Sequence, residues 1–110
     1  MRDLSMRSGR AKLDVPVEVM AGDDSFGASV KNIGTGGMFI ATERPCQIGT
    51  QLALKLTLPA HPRPIAVGAE VRWTREGEPS ETQPSGMGLR FVNLPVGALI
   101  AIHELLLSAP

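Results

Sequence analysis

Apolar and polar residues alternate along most of this chain, the period of a strand with one face buried. Leu13, Val15, Val17 and Val19 alternate with Lys12, Asp14, Pro16 and Glu18. Pro16 has no backbone donor, so this first strand is expected at a sheet edge or at a strand's start. Gly22-Asp23-Asp24 signals a turn, and Ser25 to Asn32 reads as a weaker second strand. Met38 to Thr42 is a stronger third strand, followed by a loop over Pro45 to Gly49. Leu52, Leu54, Leu56 and Leu58 then alternate with Ala53, Lys55 and Thr57, until Pro62 and Pro64 break the pattern. Ile65, Val67, Ala69, Val71 and Trp73 resume it, with Glu70 and Arg72 on the other face. Residues 75–85 are a polar loop, and Met87, Leu89 and Phe91 give a last strand with Arg90 on its solvated side.

After Asn93 the period changes. Ala98, Ile102, Leu105 and Leu106 recur at helical spacing and predict one helix over about 95–108. Asn93 is placed to cap it, and Pro95 is tolerated in its first turn. Leu99, Ile100 and Leu107 make the helix apolar on more than one side, which suits a face turned towards a partner. Short strands at regular spacing followed by one helix predict a small, mainly β antiparallel barrel, with the helix plugging or flanking one end. Trp73, the only tryptophan, is expected to fill one end of the barrel. Stacking on a base is its alternative role.

The 110 residues are enough for one domain with a real core. Apolar residues make up 43% and the formal net charge is zero, the balance of a folded, soluble protein. Zero charge and 4% aromatic content argue against DNA or RNA as a partner. The charge is unevenly placed, however. Arg2, Arg7, Arg10 and Lys12 crowd the start against Asp3, so residues 1–11 read as a basic arm ahead of a single domain over 12–110. Such a cluster can bind an anion even at zero total charge.

The one cysteine, Cys46, allows no intrachain disulfide and fits a reducing cytoplasm. No apolar leader opens the chain, and the run Leu94 to Leu107 is too short for membrane insertion. A cytoplasmic location is therefore expected. His61 and His103 have no carboxylate or cysteine at metal-ligand spacing, so neither a metal nor a cofactor is expected. Nothing orients Cys46 towards a histidine as a nucleophile pair, so an enzyme is not expected.

The densest signal lies between Val30 and Ile40. Gly34, Gly36 and Gly37 stand within four residues, preceded by Asn32. Glycines allow positive φ and close approach to the main chain, and Asn32 offers both donor and acceptor. Such a turn closes a hairpin or receives a ligand. It is no Walker loop, because the lysine and the following Ser/Thr are missing.

Four pieces in order carry a resemblance. They are the basic arm running into Leu13-Asp14-Val15-Pro16-Val17-Glu18-Val19, the stretch Asn32-Ile33-Gly34-Thr35-Gly36-Gly37-Met38-Phe39, Gly68-Ala69-Glu70-Val71-Arg72-Trp73, and Gly86-Met87-Gly88-Leu89-Arg90-Phe91. Together they resemble the PilZ domain, a bacterial receptor family for the second messenger cyclic di-GMP. The resemblance implies a six-stranded antiparallel β-barrel with one C-terminal α-helix. It also implies two ligand motifs. The family's Asp/Asn-x-Ser-x-x-Gly falls on Asn32, Gly34 and Gly37, with Gly34 standing where the serine belongs. The family's Arg-x-x-x-Arg, counted back from Pro16, puts Arg10 second and Met6 first, with Arg7 one residue away.

The implied ligand residues are thus Arg7, Arg10, Asn32, Gly34 and Gly37. An arginine fork matches a phosphate or the O6/N7 edge of guanine. The implied partners are cyclic di-GMP and a protein met through the C-terminal helix, with a homodimer left open. The alternative on the same fold is an adaptor in motility or surface-structure control that no longer binds the messenger.

Overall fold

The computed structural model describes residues 10–59, 61–76 and 84–108. Six strands form a closed antiparallel barrel: β1 (Arg10–Ala21), β2 (Asp24–Gly34), β3 (Gly37–Ala41), β4 (Gln51–Leu56), β5 (Ile65–Arg75) and β6 (Gly86–Asn93). Around the wall the order is β1-β2-β3-β6-β5-β4, and β1 closes on β4. A helix, α1 (Val96–Ser108), follows β6. The expected six-stranded barrel with a C-terminal helix is what the chain forms.

The inward positions fill the barrel with apolar side chains only. Val19, Val30, Ile33, Ile40, Leu56 and Val71 are fully buried. No polar or charged side chain among the described residues is buried, so the core carries no desolvation cost. Helix α1 packs on β1, β2 and β5 through Ala98, Ala101 and Ile102. The small alanines let the helix backbone approach, and Ile102 plugs the end of the core. An Ile102→Val variant is expected to lower stability by about 0.5–1.5 kcal/mol, read from its urea midpoint. An unchanged midpoint would mean that α1 does not seal the core.

Two local expectations need correction. Pro16 lies inside β1, not at an edge, and pairs with Ser29 of β2. The β1–β4 ladder begins one residue later, at Val17, so no β4 acceptor is left waiting for the missing N–H. Asn93 does not cap α1. It ends β6 opposite Gly68, and the Pro95 carbonyl accepts the first helical bond from the Leu99 N–H at 3.0 Å. Strand β1 also begins at Arg10, so Arg10 and Ala11 stand in the barrel wall.

The outer side of α1 leaves apolar groups in solvent. Val96 is 72% exposed and Leu107 75%, with Leu99 and Ile100 also exposed. No helix of the described residues is long and apolar enough to cross a membrane.

Candidate functional site

Three departures from regular strand pairing build the site. The register shifts between Lys12 and Val15 of β1, between Val30 and Asn32 of β2, and between Val71 and Trp73 of β5. A bulge reverses the side to which the following residues point. In β2, Val30 and Ile33 both point inward although they lie three apart. Asn32, two residues after an inward valine, therefore turns outward. In β5, Val71 is buried while Trp73 is 44% exposed.

The expectation that Trp73 fills the barrel end is thus overturned. Its parity matches the inward residues of β5, and the bulge at Arg72 turns it out. The indole stacks on Phe39, with ring centroids 5.3 Å apart and planes 15° from parallel. Phe39 also lies outside the barrel core, yet Trp73 covers it to 4% exposure. The recess for both rings is cut by Gly86 and Gly88 of β6. A Cβ on Gly88 would stand 2.1 Å from Trp73 Cε2, and one on Gly86 2.6 Å from Phe39 Cζ. The Arg75 guanidinium lies over both rings, 5.2 Å from the Phe39 centroid and 5.5 Å from that of Trp73.

The pairing aligns these groups in a row across the outer wall: Lys12, Asn32, Phe39, Gly88, Trp73. The next row towards the turn is Arg10, Gly34, Gly37, Arg90, Glu70. Arg10 and Asn32 meet between the rows. Arg10 Nε donates to Asn32 Oδ1 at 3.1 Å, and Nη2 donates to the same oxygen. Burial lowers the Arg10 pKa below its ordinary value. A partly dehydrated guanidinium resting on a neutral amide oxygen is favourably placed to receive an anion.

The turn itself is a hairpin. Thr35 and Gly36 link Gly34 of β2 to Gly37 of β3. The Gly36 carbonyl accepts from the Phe91 N–H at 2.9 Å, which ties the tip of the turn to β6. Positive φ is not what the turn needs: among the described glycines only Gly22 and Gly49 adopt it. Gly37 serves close approach instead, since its Cβ would fall 1.9 Å from the Leu89 carbonyl oxygen.

The structure therefore brings together Arg10, Asn32, Gly34 and Gly37. Arg7 and Met6 lie outside the described residues. The periodicity missed Phe39, Trp73 and Arg90 as neighbours of the turn; the pair Gly86 and Gly88 facing two aromatics was the available signal. Elsewhere, burial and, secondarily, the charge of Asp24 push the Cys46 thiol above its ordinary pKa. The thiol is thus held in its unreactive protonated form. No group of three or more His, Cys, Asp or Glu among the described residues is arranged to hold a metal ion.

The family model described as PilZ domain matches residues 5–108. No curated protein sequence matches the chain. Among solved structures, the Bacillus subtilis inhibitor of motility, MotI/DgrA, aligns with a TM-score of 0.75 and 22% identity, over 89% of this chain and 47% of that one. The chain thus spans about half the length of that protein. The PilZ domain of Escherichia coli YcgR, solved with c-di-GMP, aligns with a TM-score of 0.70 and 14% identity, over 90% of this chain and 86% of that one. Borreliella burgdorferi PlzA, in complex with c-di-GMP, aligns with a TM-score of 0.62 and 12% identity, over 94% of this chain and 37% of that one. At these identities the likeness is one of fold.

Proposed function

The chain belongs to the PilZ domain family, and on that premise we propose that it is a non-catalytic regulatory module of bacterial cyclic di-GMP signalling. It takes the messenger on the outer wall around the Asn32–Gly37 turn and passes the signal to a protein partner. The observation that carries this reading is the Arg10 fork resting on Asn32 beside a turn tied to the wall. Arg10 pairs with one phosphate, Asn32 meets a guanine edge, and Gly37 keeps the main chain open beside them. Arg7, from the basic arm, adds positive charge to the site. Two solved relatives in fold, YcgR and PlzA, contain c-di-GMP, which supports the ligand class.

A second reading is an adaptor that has lost the messenger and acts through protein contacts in motility or surface-structure control. Gly34 in the serine's place and the exposed Val96, Ile100 and Leu107 of α1 favour it. Either role places the protein in the cytoplasm, where the messenger is made, and needs no cofactor. The partner is met through α1, and a second copy of the chain is one candidate for it.

Calorimetry with cyclic di-GMP separates the two readings. Saturable binding in the micromolar range is expected of the receptor. A hydrogen bond to a charged group contributes about 1.5–3 kcal/mol, so Arg10→Ala should weaken binding about 13- to 160-fold. No heat at millimolar messenger would leave the adaptor standing.

A further inference from the structure

We propose that Arg90 is the second phosphate-binding arginine of this site, and that Glu70 holds it in reserve until ligand arrives. The inference rests on the reading that the site takes a dinucleotide with two phosphates. Arg90 faces outward from β6, its side chain 53% exposed, as the strand partner of Gly37 at the end of the turn. It therefore belongs to the same row as Arg10, on the opposite side of the hairpin. Three strand spacings separate the two arginine positions, about 14 Å along the wall. Among the described residues, the strand positions between them in this row are Gly34 and Gly37, which carry no side chain to stand in a ligand's way. The bond from the Phe91 N–H to the Gly36 carbonyl fixes the backbone beside Arg90 to the turn tip. Arg90 is thus positioned by the same rigid element as the turn.

Its present partner is built for release. Arg90 Nη2 donates to Glu70 Oε1 at 3.1 Å, and Arg72 Nη1 lies 3.6 Å from the same oxygen. One carboxylate faces two guanidiniums, which leaves a net positive charge. When Arg90 turns to a phosphate, Arg72 remains to neutralise Glu70. The Arg90 and Arg72 side chains are 53% and 55% exposed and that of Glu70 is 23% exposed, so Glu70 is partly covered but keeps Arg72 beside it and is not stranded without a counter-charge. The side chain thus trades a weak, shared partner for a dianionic one. It would supply from β6 the cation that Met6 does not supply from the arm.

The test is calorimetry of cyclic di-GMP with the full chain and four variants: Arg10→Ala, Arg90→Ala, Arg90→Lys and Glu70→Gln. Circular dichroism melts confirm that each is folded. Arg90→Ala is expected to weaken binding about 13- to 160-fold, the range for one charge-assisted bond. Arg90→Lys should fall between it and the parent, since lysine keeps the charge and loses the fork. Glu70→Gln frees Arg90 and should tighten binding about 1.4- to 5-fold, the range for one exposed ion pair. If Arg10→Ala weakens binding while Arg90→Ala matches the parent, the role of Arg90 is overturned and the site reading stands. If Glu70→Gln weakens binding, Glu70 is a ligand contact and the reserve is overturned. If the parent chain gives no heat at millimolar messenger, the site reading fails and takes this inference with it.

Discussion

Gly37→Ala is expected to lower stability by about 3 kcal/mol, while Gly36→Ala one residue earlier is expected to leave it unchanged or slightly higher. The two glycines look equivalent in the sequence and differ in what surrounds them. A Cβ on Gly37 would lie 1.9 Å from the Leu89 carbonyl oxygen and 3.2 Å from Arg90 Cα. Both are backbone atoms of the adjoining strand, so no rotamer change relieves the clash. The β3–β6 ladder, with Gly37 opposite Arg90 and Met38 opposite Leu89, would have to part. Overpacking of this kind costs about 1–3 kcal/mol and sometimes more, and backbone contact places Gly37 at the upper end. At a urea dependence of about 1–3 kcal/mol per molar, the midpoint should fall by about 1–3 M. Nothing lies within 4 Å of a Cβ on Gly36, and its φ is not left-handed. Alanine there restricts the unfolded chain and should gain at most about 0.4–1 kcal/mol. Equal midpoints for the two variants would refute the packing role of Gly37. The outcome also bears on the ligand motif: a Gly37→Ala variant that loses ligand has first lost its wall, so its binding defect is no measure of contact with the ligand.

The strands were legible because inward residues repeat with period two in β4 and along most of β1 and β5. Leu52, Leu54 and Leu56 show this without interruption. Period counting fails where the chain inserts a residue. The bulge between Val71 and Trp73 leaves a sequence that still alternates, while the tryptophan changes side. The bulge between Val30 and Asn32 likewise turns Asn32 towards Arg10. Nothing in the side-chain types at these positions encodes the inserted residue; it follows from closing six strands into one barrel. The glycine turn was legible as a hairpin with room beside it. The reason for its last glycine was not, because the Leu89 carbonyl that excludes a side chain comes from a strand 52 residues later in the sequence. Arg10 and Asn32 were readable from the family motifs. Arg90 was not, since a lone arginine on a strand's polar face reads as ordinary solvation until the pairing sets it beside Gly37.

Restoring the family's residues with Met6→Arg plus Gly34→Ser is expected to tighten cyclic di-GMP binding, on the order of 30- to 2000-fold in an Arg90→Ala background and by less in the parent. The arginine adds a bond to a charged group, about 1.5–3 kcal/mol, and the serine a neutral one, about 0.5–1.5 kcal/mol. Their sum is about 2–4.5 kcal/mol, which sets the range. The single variants apportion it: about 2- to 13-fold for Gly34→Ser and about 13- to 160-fold for Met6→Arg, if the sites act independently. They are not expected to be independent of Arg90. If Arg90 already holds one phosphate, a new arginine on the arm competes for the same charge, and Met6→Arg gains less in the parent than in an Arg90→Ala background. Calorimetry on that double-mutant cycle reads the difference directly. Restoration that leaves affinity at the parent's value in both backgrounds would show that Met6 and Gly34 do not limit binding. The reading of the site as weakened by those two departures would then be overturned.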